Sequence, residues 1–172
     1  MSPVVSSDGI ISIGLHREGD AQFLCELDAD AEHRRRFEIS EGVVPSIEHS
    51  QQVMVSWAKD RLNGARFTFA VRRVGDDQLV GGCELQPRNS RVANVSYWTH
   101  PRYRGSGFAT RAVALLSSGE IAICQGLTVL EILADVDNTS SRRVAHNCGY
   151  VDVGFRYDKV LHILTVERLA WV

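Results

Sequence analysis

Arg104-Gly105-Ser106-Gly107-Phe108-Ala109 combines the residue types that hold an anion. It follows an apolar, strand-like stretch, Val95-Ser96-Tyr97-Trp98-Thr99, and a turn at Pro101. It leads into Thr110-Arg111-Ala112-Val113-Ala114-Leu115-Leu116, which has helical character. The first amides of a helix have no internal acceptor, and the helix dipole adds partial positive charge to them. Gly105 and Gly107 carry no Cβ, so a phosphate can approach the backbone closely. Arg104 adds a fixed positive charge suited to phosphate oxygens.

The neighbouring residues narrow the choice of phosphate ligand. A P-loop requires Lys-Ser or Lys-Thr to close the glycine loop, and Phe108, Ala109 and Thr110 stand there instead. A Rossmann fingerprint requires a third small residue at Thr110, near the start of a longer βαβ array, so it fits poorly. An ordinary glycine turn before a helix remains the plain alternative. A further pattern, Arg/Gln-x-x-Gly-x-Gly/Ala after a strand, is met by Arg104, Gly107 and Ala109, with Gly105 as an extra glycine. In this the chain resembles the acetyl-CoA pyrophosphate loop of the GNAT superfamily of N-acetyltransferases.

A second string supports the resemblance. Asn138 is a good helix N-cap, and Gly149 suits the position just past a helix end. Between them Ser141, Val144, Ala145 and Cys148 share one helical face. Local helix signals account for all of this. The whole pattern Asn-x-x-Ser-x-x-Val-x-x-x-x-Gly-Tyr nevertheless resembles the second GNAT signature, and within it the RimJ/RimL branch, which includes ribosomal-protein N-terminal acetyltransferases. The two strings occur in the expected order with a strand, residues 127–133, between them.

The elements that must position these residues follow from periodicity and punctuation. Residues 10–16 are expected to form a strand, and 21–37 a helical region broken near residues 28–30. Ser46 caps a second helical region whose face includes Met54, Trp57, Ala58 and Arg61, stopped by Asn63-Gly64. Residues 67–71 and 79–86 form a hairpin, and 92–99 the strand before the loop. A helix over residues 107–125 buries Ala109, Ala112, Val113 and Leu116. Strand 127–134, helix 140–148, strand 150–157 and a last strand over 160–172 complete the chain. The order β-α-α-β-β-β-α-β-α-β-β describes a mixed α/β sheet. The resemblance sharpens it to a GNAT-type, mostly antiparallel sheet flanked by helices, with a splayed central strand pair. A single domain over residues 1–172 is expected, with 1–9 frayed.

Composition excludes several classes. A formal net charge of −2 over 172 residues leaves no electrostatic footprint for nucleic acid. Arg34-Arg35-Arg36 is flanked by Glu32 and Glu38 and suits a solvated helix face. The four cysteines, Cys25, Cys83, Cys124 and Cys148, show no CxxC spacing. Neither a zinc site nor a disulfide framework is expected, and each cysteine is read as a small buried hydrophobe. No apolar run approaches membrane length and no signal peptide is evident, so a reduced, cytoplasmic setting is expected.

The resemblance implies transfer of an acetyl group from acetyl-CoA to an amine, with no metal. The reaction needs a grip on CoA, an oxyanion donor, a route for the amine proton and an acid for the thiolate. The family's grip maps onto the amides of Gly105, Ser106, Gly107, Phe108, Ala109 and Thr110, beside Arg104. The family's splayed strand pairs its free backbone with the pantetheine arm. The matching positions are Tyr97, Trp98 and Thr99, with an amide near Thr99 facing the thioester oxygen. Asn138 matches the family asparagine that bonds the same arm, a role compatible with an N-cap. Many members place a tyrosine acid where this chain has Ala145. Ser141, one turn earlier, matches the RimJ/RimL serine proposed as thiolate donor; the plain alternative is a helix serine bonding a backbone carbonyl. The family's base positions fall on Ala93 and Leu133, both inert. Glu84 is the best remaining carboxylate, either turned into the cleft beside the splay or facing solvent, and a water chain is the other proton route. His100 is expected to point outward.

Two rival functions stay open at this point: a non-catalytic acyl-CoA-binding or sensor domain, and a small-molecule amine acetyltransferase. Acceptor choice would rest on residues 20–64 and 155–162. That first stretch carries Glu26, Asp28, Asp30, Glu32, Glu38, Glu41 and Glu48, an acidic set that suits a cationic amine or is simply solvated surface. A homodimer is compatible with the family and has no signal in the chain.

Overall fold

In this computed structural model, which describes residues 4–118 and 125–166, pairing begins earlier than composition suggests. Val4–Ser7 forms β1 against β2 (Ile11–Gly14). The fraying expected over residues 1–9 is thus corrected at its centre. Asp8 closes the β1–β2 turn by accepting from the amides of Ile10 and Ile11. The expected break near residues 28–30 separates α1 (Ala21–Asp28) from α2 (Ala31–Arg36), and Asp30 caps α2 by accepting from the His33 amide at 2.8 Å. Ser46 caps α3 (Ile47–Leu62) by accepting from the His49 amide at 3.0 Å. Then follow β3 (Phe67–Arg73), β4 (Leu79–Pro87) and β5 (Val92–Thr99). The loop leads into α4 (Phe108–Ser117), then β6 (Val129–Asp135), α5 (Thr139–Asn147), β7 (Val151–Arg156) and β8 (Lys159–Thr165). The rest of the expected helix to residue 125, together with Cys124, and the last strand beyond residue 166 lie outside the described residues.

The strands form one mixed sheet in the order β1-β2-β3-β4-β5-β6-β8-β7. Every adjacent pair is antiparallel except β5–β6. That parallel pair is short: Val92 meets Val129, Ala93 meets Leu130, Asn94 meets Glu131, and pairing then ends. β5 stays paired with β4 to Thr99, and β6 with β8 to Asp135, so the two halves of the sheet diverge.

Helices cover both faces. Ile11, Ile13, Phe69, Leu85 and Val95 pack with Ala112, Val113 and Leu116 of α4. Ala109, expected in this stripe, is only half-buried and lines a cavity. Across the sheet, Trp98 packs with Leu24 and Leu27 of α1, and Met54 and Trp57 of α3 lie against them. Cys83 is buried as expected, whereas Cys25 and Cys148 are only half-buried. Among the described residues no helix is long and apolar enough to cross a membrane.

Trp98 depends on its β4 neighbour. A Cβ at Gly82 would stand 2.3 Å from Trp98 Cζ2, so only glycine admits the ring there. Overpacking of this kind costs roughly 1–3 kcal/mol. Gly82→Ala is therefore expected to lower Tm by about 2–12 °C for a chain of this size. Thermal unfolding followed by tryptophan fluorescence checks this; an unchanged Tm and emission maximum would show that the ring has other room.

Candidate functional site

The anion loop has the predicted backbone. Gly105 and Gly107 take φ of 75° and 77°, and a Cβ at either would meet no atom within 4 Å. Their need for glycine is conformational, since L side chains rarely adopt that φ. Gly107 is the N-cap of α4. The amides of residues 105–110 find no acceptor among the described residues, so the helix start presents them outward. Arg104 is not free: its guanidinium pairs with Asp30, which ties the loop to the α1–α2 turn.

A cavity of about 500 Å³ opens beside the loop. Its walls include Tyr97, Trp98, Thr99, Arg104, Gly105, Gly107, Phe108, Ala109, Thr110, Asn138 and Ser141. Of the positions expected to hold CoA, Ser106 alone is not in the wall. The cavity also has residues that sequence reasoning passed over: His33, Arg36 and Phe37 from the α2 region, Tyr103, and Arg143 from α5. Arg143 is exposed and makes no ion pair among the described residues, so its charge is available at the cavity wall.

Across the splay lies a second cavity of about 440 Å³, lined by Asn94, Val95 and Ser96 of β5 and residues 132–135 of β6. The two share Arg36, Phe37, Tyr97, Asn138 and Ser141. At this junction Asn138 caps α5, its Oδ1 accepting from the Ser141 amide at 3.1 Å. The Tyr97 hydroxyl donates to the Ser141 carbonyl at 2.9 Å and lies 2.7 Å from Ser141 Oγ. A phenol has one proton and a carbonyl only accepts. While Tyr97 donates to that carbonyl, Ser141 is therefore the donor between the two hydroxyls. Burial pushes the Tyr97 hydroxyl well above its usual range, with the Ser141 bond opposing. Ala145 leaves the usual acid position empty of a donor, and a phenol arrives at Ser141 from the strand instead.

A family model described as an acetyltransferase (GNAT) domain matches residues 13–151. The chain belongs to the GNAT acetyltransferase family. It is an acetyl-CoA-dependent N-acetyltransferase. Solved structures agree on the fold. RimJ of Mycobacterium smegmatis, in complex with CoA-disulfide, superposes with a TM-score of 0.79 at 22% identity, over 93% of this chain and 84% of that one. The ribosomal-protein-S5-alanine acetyltransferase from Vibrio fischeri gives 0.77 at 16% identity, over 96% and 97%. The microcin C7 self-immunity acetyltransferase MccE, in complex with acetyl-CoA and AMP, gives 0.76 at 17% identity, over 93% and 94%. No curated protein matches the chain significantly.

Two side chains of this GNAT domain sit differently from expectation. Glu84 neither faces solvent nor lines either cavity; it is buried, bonded by Thr68 Oγ1 at 3.3 Å and 3.6 Å from Arg66. Ser96, its cross-strand neighbour on β5, does line the second cavity. Burial raises the Glu84 carboxyl above the usual range, opposed by Arg66 and by the Thr68 and Ser96 hydroxyls. His100 points inward: it stacks on Phe23, and its Nδ1 accepts from the Arg102 amide. It supports the loop rather than entering the cleft.

His33 lies at the cavity wall, stacked on Phe37, and burial pushes it down to about 4. An unfolded histidine titrates near 6.5. Between these values the unfolded chain binds the extra proton, so stability falls as pH drops through that window, by up to about 3 kcal/mol. His33→Phe is expected to flatten this part of the stability–pH curve, read by urea unfolding at pH 7 and pH 4.5. Equal slopes in the two proteins would assign the loss to other groups.

Proposed function

We propose that this domain moves an acetyl group by direct transfer from acetyl-CoA to a primary amine, and that the acceptor is a protein N-terminus. One observation carries the reading: a cavity beside the loop and a cavity between the diverging strands share Tyr97, Asn138 and Ser141 in their walls. Such a junction can bring a thioester and an amine together in one place. The first cavity takes CoA, its pyrophosphate on the amides of residues 105–110 and its pantetheine arm along the free edge of β5 from Tyr97 to Thr99. Asn138 bonds that arm, and an amide near Thr99 faces the thioester oxygen.

The second cavity takes the amine. Asn94 Oδ1 is buried there without a donor among the described residues, a ready acceptor for an N–H. The amine nitrogen attacks the thioester carbonyl, the C–N bond forms and the C–S bond breaks. The amine proton passes by way of Ser96 to Glu84, whose affinity for protons is raised by burial. Ser141 Oγ turns its proton to the departing sulfur, and Tyr97 turns its own to Ser141. The likeness to the Vibrio fischeri ribosomal-protein-S5-alanine acetyltransferase supports a peptide acceptor. MccE, captured with AMP, supports a small-molecule amine as the second reading. The proposal includes a single domain over residues 1–172 and a cytoplasmic setting, in keeping with the unpaired Cys25, Cys83 and Cys148. It also includes a homodimer through β7, an edge strand with Val151, Val153 and Phe155 exposed.

Two experiments test this. Titration calorimetry of acetyl-CoA into wild type and Gly107→Trp should show binding that the variant weakens by at least about tenfold, the loop losing its approach to phosphate; equal binding sinks the loop assignment. Steady-state kinetics, with ribosomal-protein N-terminal peptides and a polyamine panel as acceptors, should show kcat falling roughly 10²-fold in Ser141→Ala and less in Tyr97→Phe, at similar KM for acetyl-CoA. Activity on polyamines alone would move the acceptor to the second reading. Unchanged kcat in both variants would remove Ser141 and Tyr97 from the chemistry.

A further inference from the structure

His146, Asp152 and His162 converge on one point although they come from α5, β7 and β8. His146 Nε2 lies 2.9 Å from Asp152 Oδ1, and His162 Nε2 lies 3.1 Å from the same oxygen. None of the three lines either cavity of the transfer site.

His162 is the informative member. It is fully buried, and its Nδ1 faces the Ile132 carbonyl at 3.3 Å. A carbonyl only accepts, so Nδ1 carries the proton. Neutral imidazole then leaves a bare lone pair on Nε2, and that atom has no hydrogen-bond partner among the described residues. A bare lone pair 3.1 Å from a carboxylate oxygen is repulsive. The other neutral tautomer shifts the repulsion to Ile132. A metal ion at Nε2 would satisfy both nitrogens.

We propose that His146, Asp152 and His162 bind a divalent transition metal of the zinc class. The donors are the right type for Zn²⁺, two imidazoles and a carboxylate, with a fourth position open to water. The Nδ1 contact to Ile132 is the outer-shell bond that fixes a ligating histidine with Nε2 toward the metal. Tetrahedral bonds of about 2.0–2.2 Å put neighbouring donor atoms roughly 3.4 Å apart. The three donor atoms here lie within 4.8 Å of one another, and the exposed His146 ring is free to adjust. Arg142 lies 3.5 Å from Asp152 Oδ2, occupying the other carboxylate oxygen and leaving Oδ1 to the metal. Cys148 is not a competing ligand, because its thiol donates to the Thr110 carbonyl on α4. The metal would pin the end of α5 to the β7–β8 hairpin. The acetyl transfer itself calls for no metal, so the site is structural.

The test uses the full, tag-free chain stripped with chelator. Zinc chloride is titrated by calorimetry into wild type, His146→Ala and Asp152→Asn. His146 is exposed, so its variant is expected to fold, which circular dichroism checks. Wild type should bind one zinc, with at least about tenfold weaker binding in either variant. Saturating zinc should raise the wild-type Tm by about 5–10 °C and leave His146→Ala nearly unmoved. Cobalt(II) in place of zinc should give tetrahedral d–d absorption without a thiolate charge-transfer band. Zinc binding equal in all three proteins, or a cobalt spectrum with thiolate character, would overturn the site. So would no binding at millimolar zinc.

Discussion

β5 and β6 are joined by three residue pairs and then part. Parallel pairing is weaker per residue than antiparallel pairing, and a strand that loses a neighbour exposes backbone groups that need partners. Here each strand keeps its antiparallel neighbour along its whole length, β4 for β5 and β8 for β6. The sheet therefore opens at its weakest seam without coming apart. The fork holds buried polar groups: Asn94, and Glu131 in a bidentate pair with Arg156 at 2.6 and 3.1 Å. A charge pair at the point of divergence resists closure, because closing the strands would desolvate those groups further. Both cavities and the order of elements around them follow from this opening.

Two sub-sheets joined by three pairs need other ties, and the helices supply them. Cys148 beyond α5 donates to the Thr110 carbonyl of α4 at 3.3 Å, and Tyr150 bonds Ser117 at the end of α4 at 2.8 Å. On the other side, Arg36 of α2 bonds Glu32, Asp135 and Asp137, and Lys159 bonds Glu38 and Asp135. The Arg34-Arg35-Arg36 run is thus only partly a solvated face. Arg36 is largely buried and links α2 to the end of β6 across the mouth of the cleft. Ion pairs with several partners and limited exposure resist salt better than isolated surface pairs. Arg104 extends the same net by pairing with Asp30, the residue that caps α2.

The most legible parts of the chain were those whose physics is local. Gly105 and Gly107 announce a left-handed backbone, and Asn138 and Ser46 announce helix starts, because a cap or a positive φ depends on a few adjacent residues. Strand β1 was hidden, since Ser, Asp and Gly read as fraying while its pairing with β2 is tertiary. Alternation put Glu84 out of phase with Cys83 and Leu85 but could not say what lies over it. Thr68 and Arg66 come from a different strand and its approach, so burial there was invisible. His100 turned inward because Phe23 of α1 offers it a ring, again a long-range partner. The His146–Asp152–His162 cluster has the same character, with spacing that signals nothing until β7 and β8 are paired.

The meeting of Tyr97 and Ser141 joins residues 44 apart in sequence, and it changes how the missing tyrosine at Ala145 is understood. What the reaction needs is a donor aimed at sulfur, and a donor has no obligation to come from the helix. A serine hydroxyl alone is a poor acid, and burial makes the Tyr97 phenol a weaker one than usual. Full proton loss from either would leave a buried anion, which desolvation penalises heavily. The proposed relay of hydrogen bonds avoids that outcome: Ser141 would donate to the sulfur, Tyr97 would donate to Ser141, and each hydroxyl would keep its proton. Donation through such a chain polarises both bonds in the same direction, so the second hydroxyl strengthens the first. The thiolate needs stabilisation as it forms rather than immediate neutralisation, since a free thiol already ionises near pH 8.5. In the proposed relay two part-buried hydroxyls in series would meet that need, and the Asn138 cap fixes the Ser141 end of the series by holding the first turn of α5.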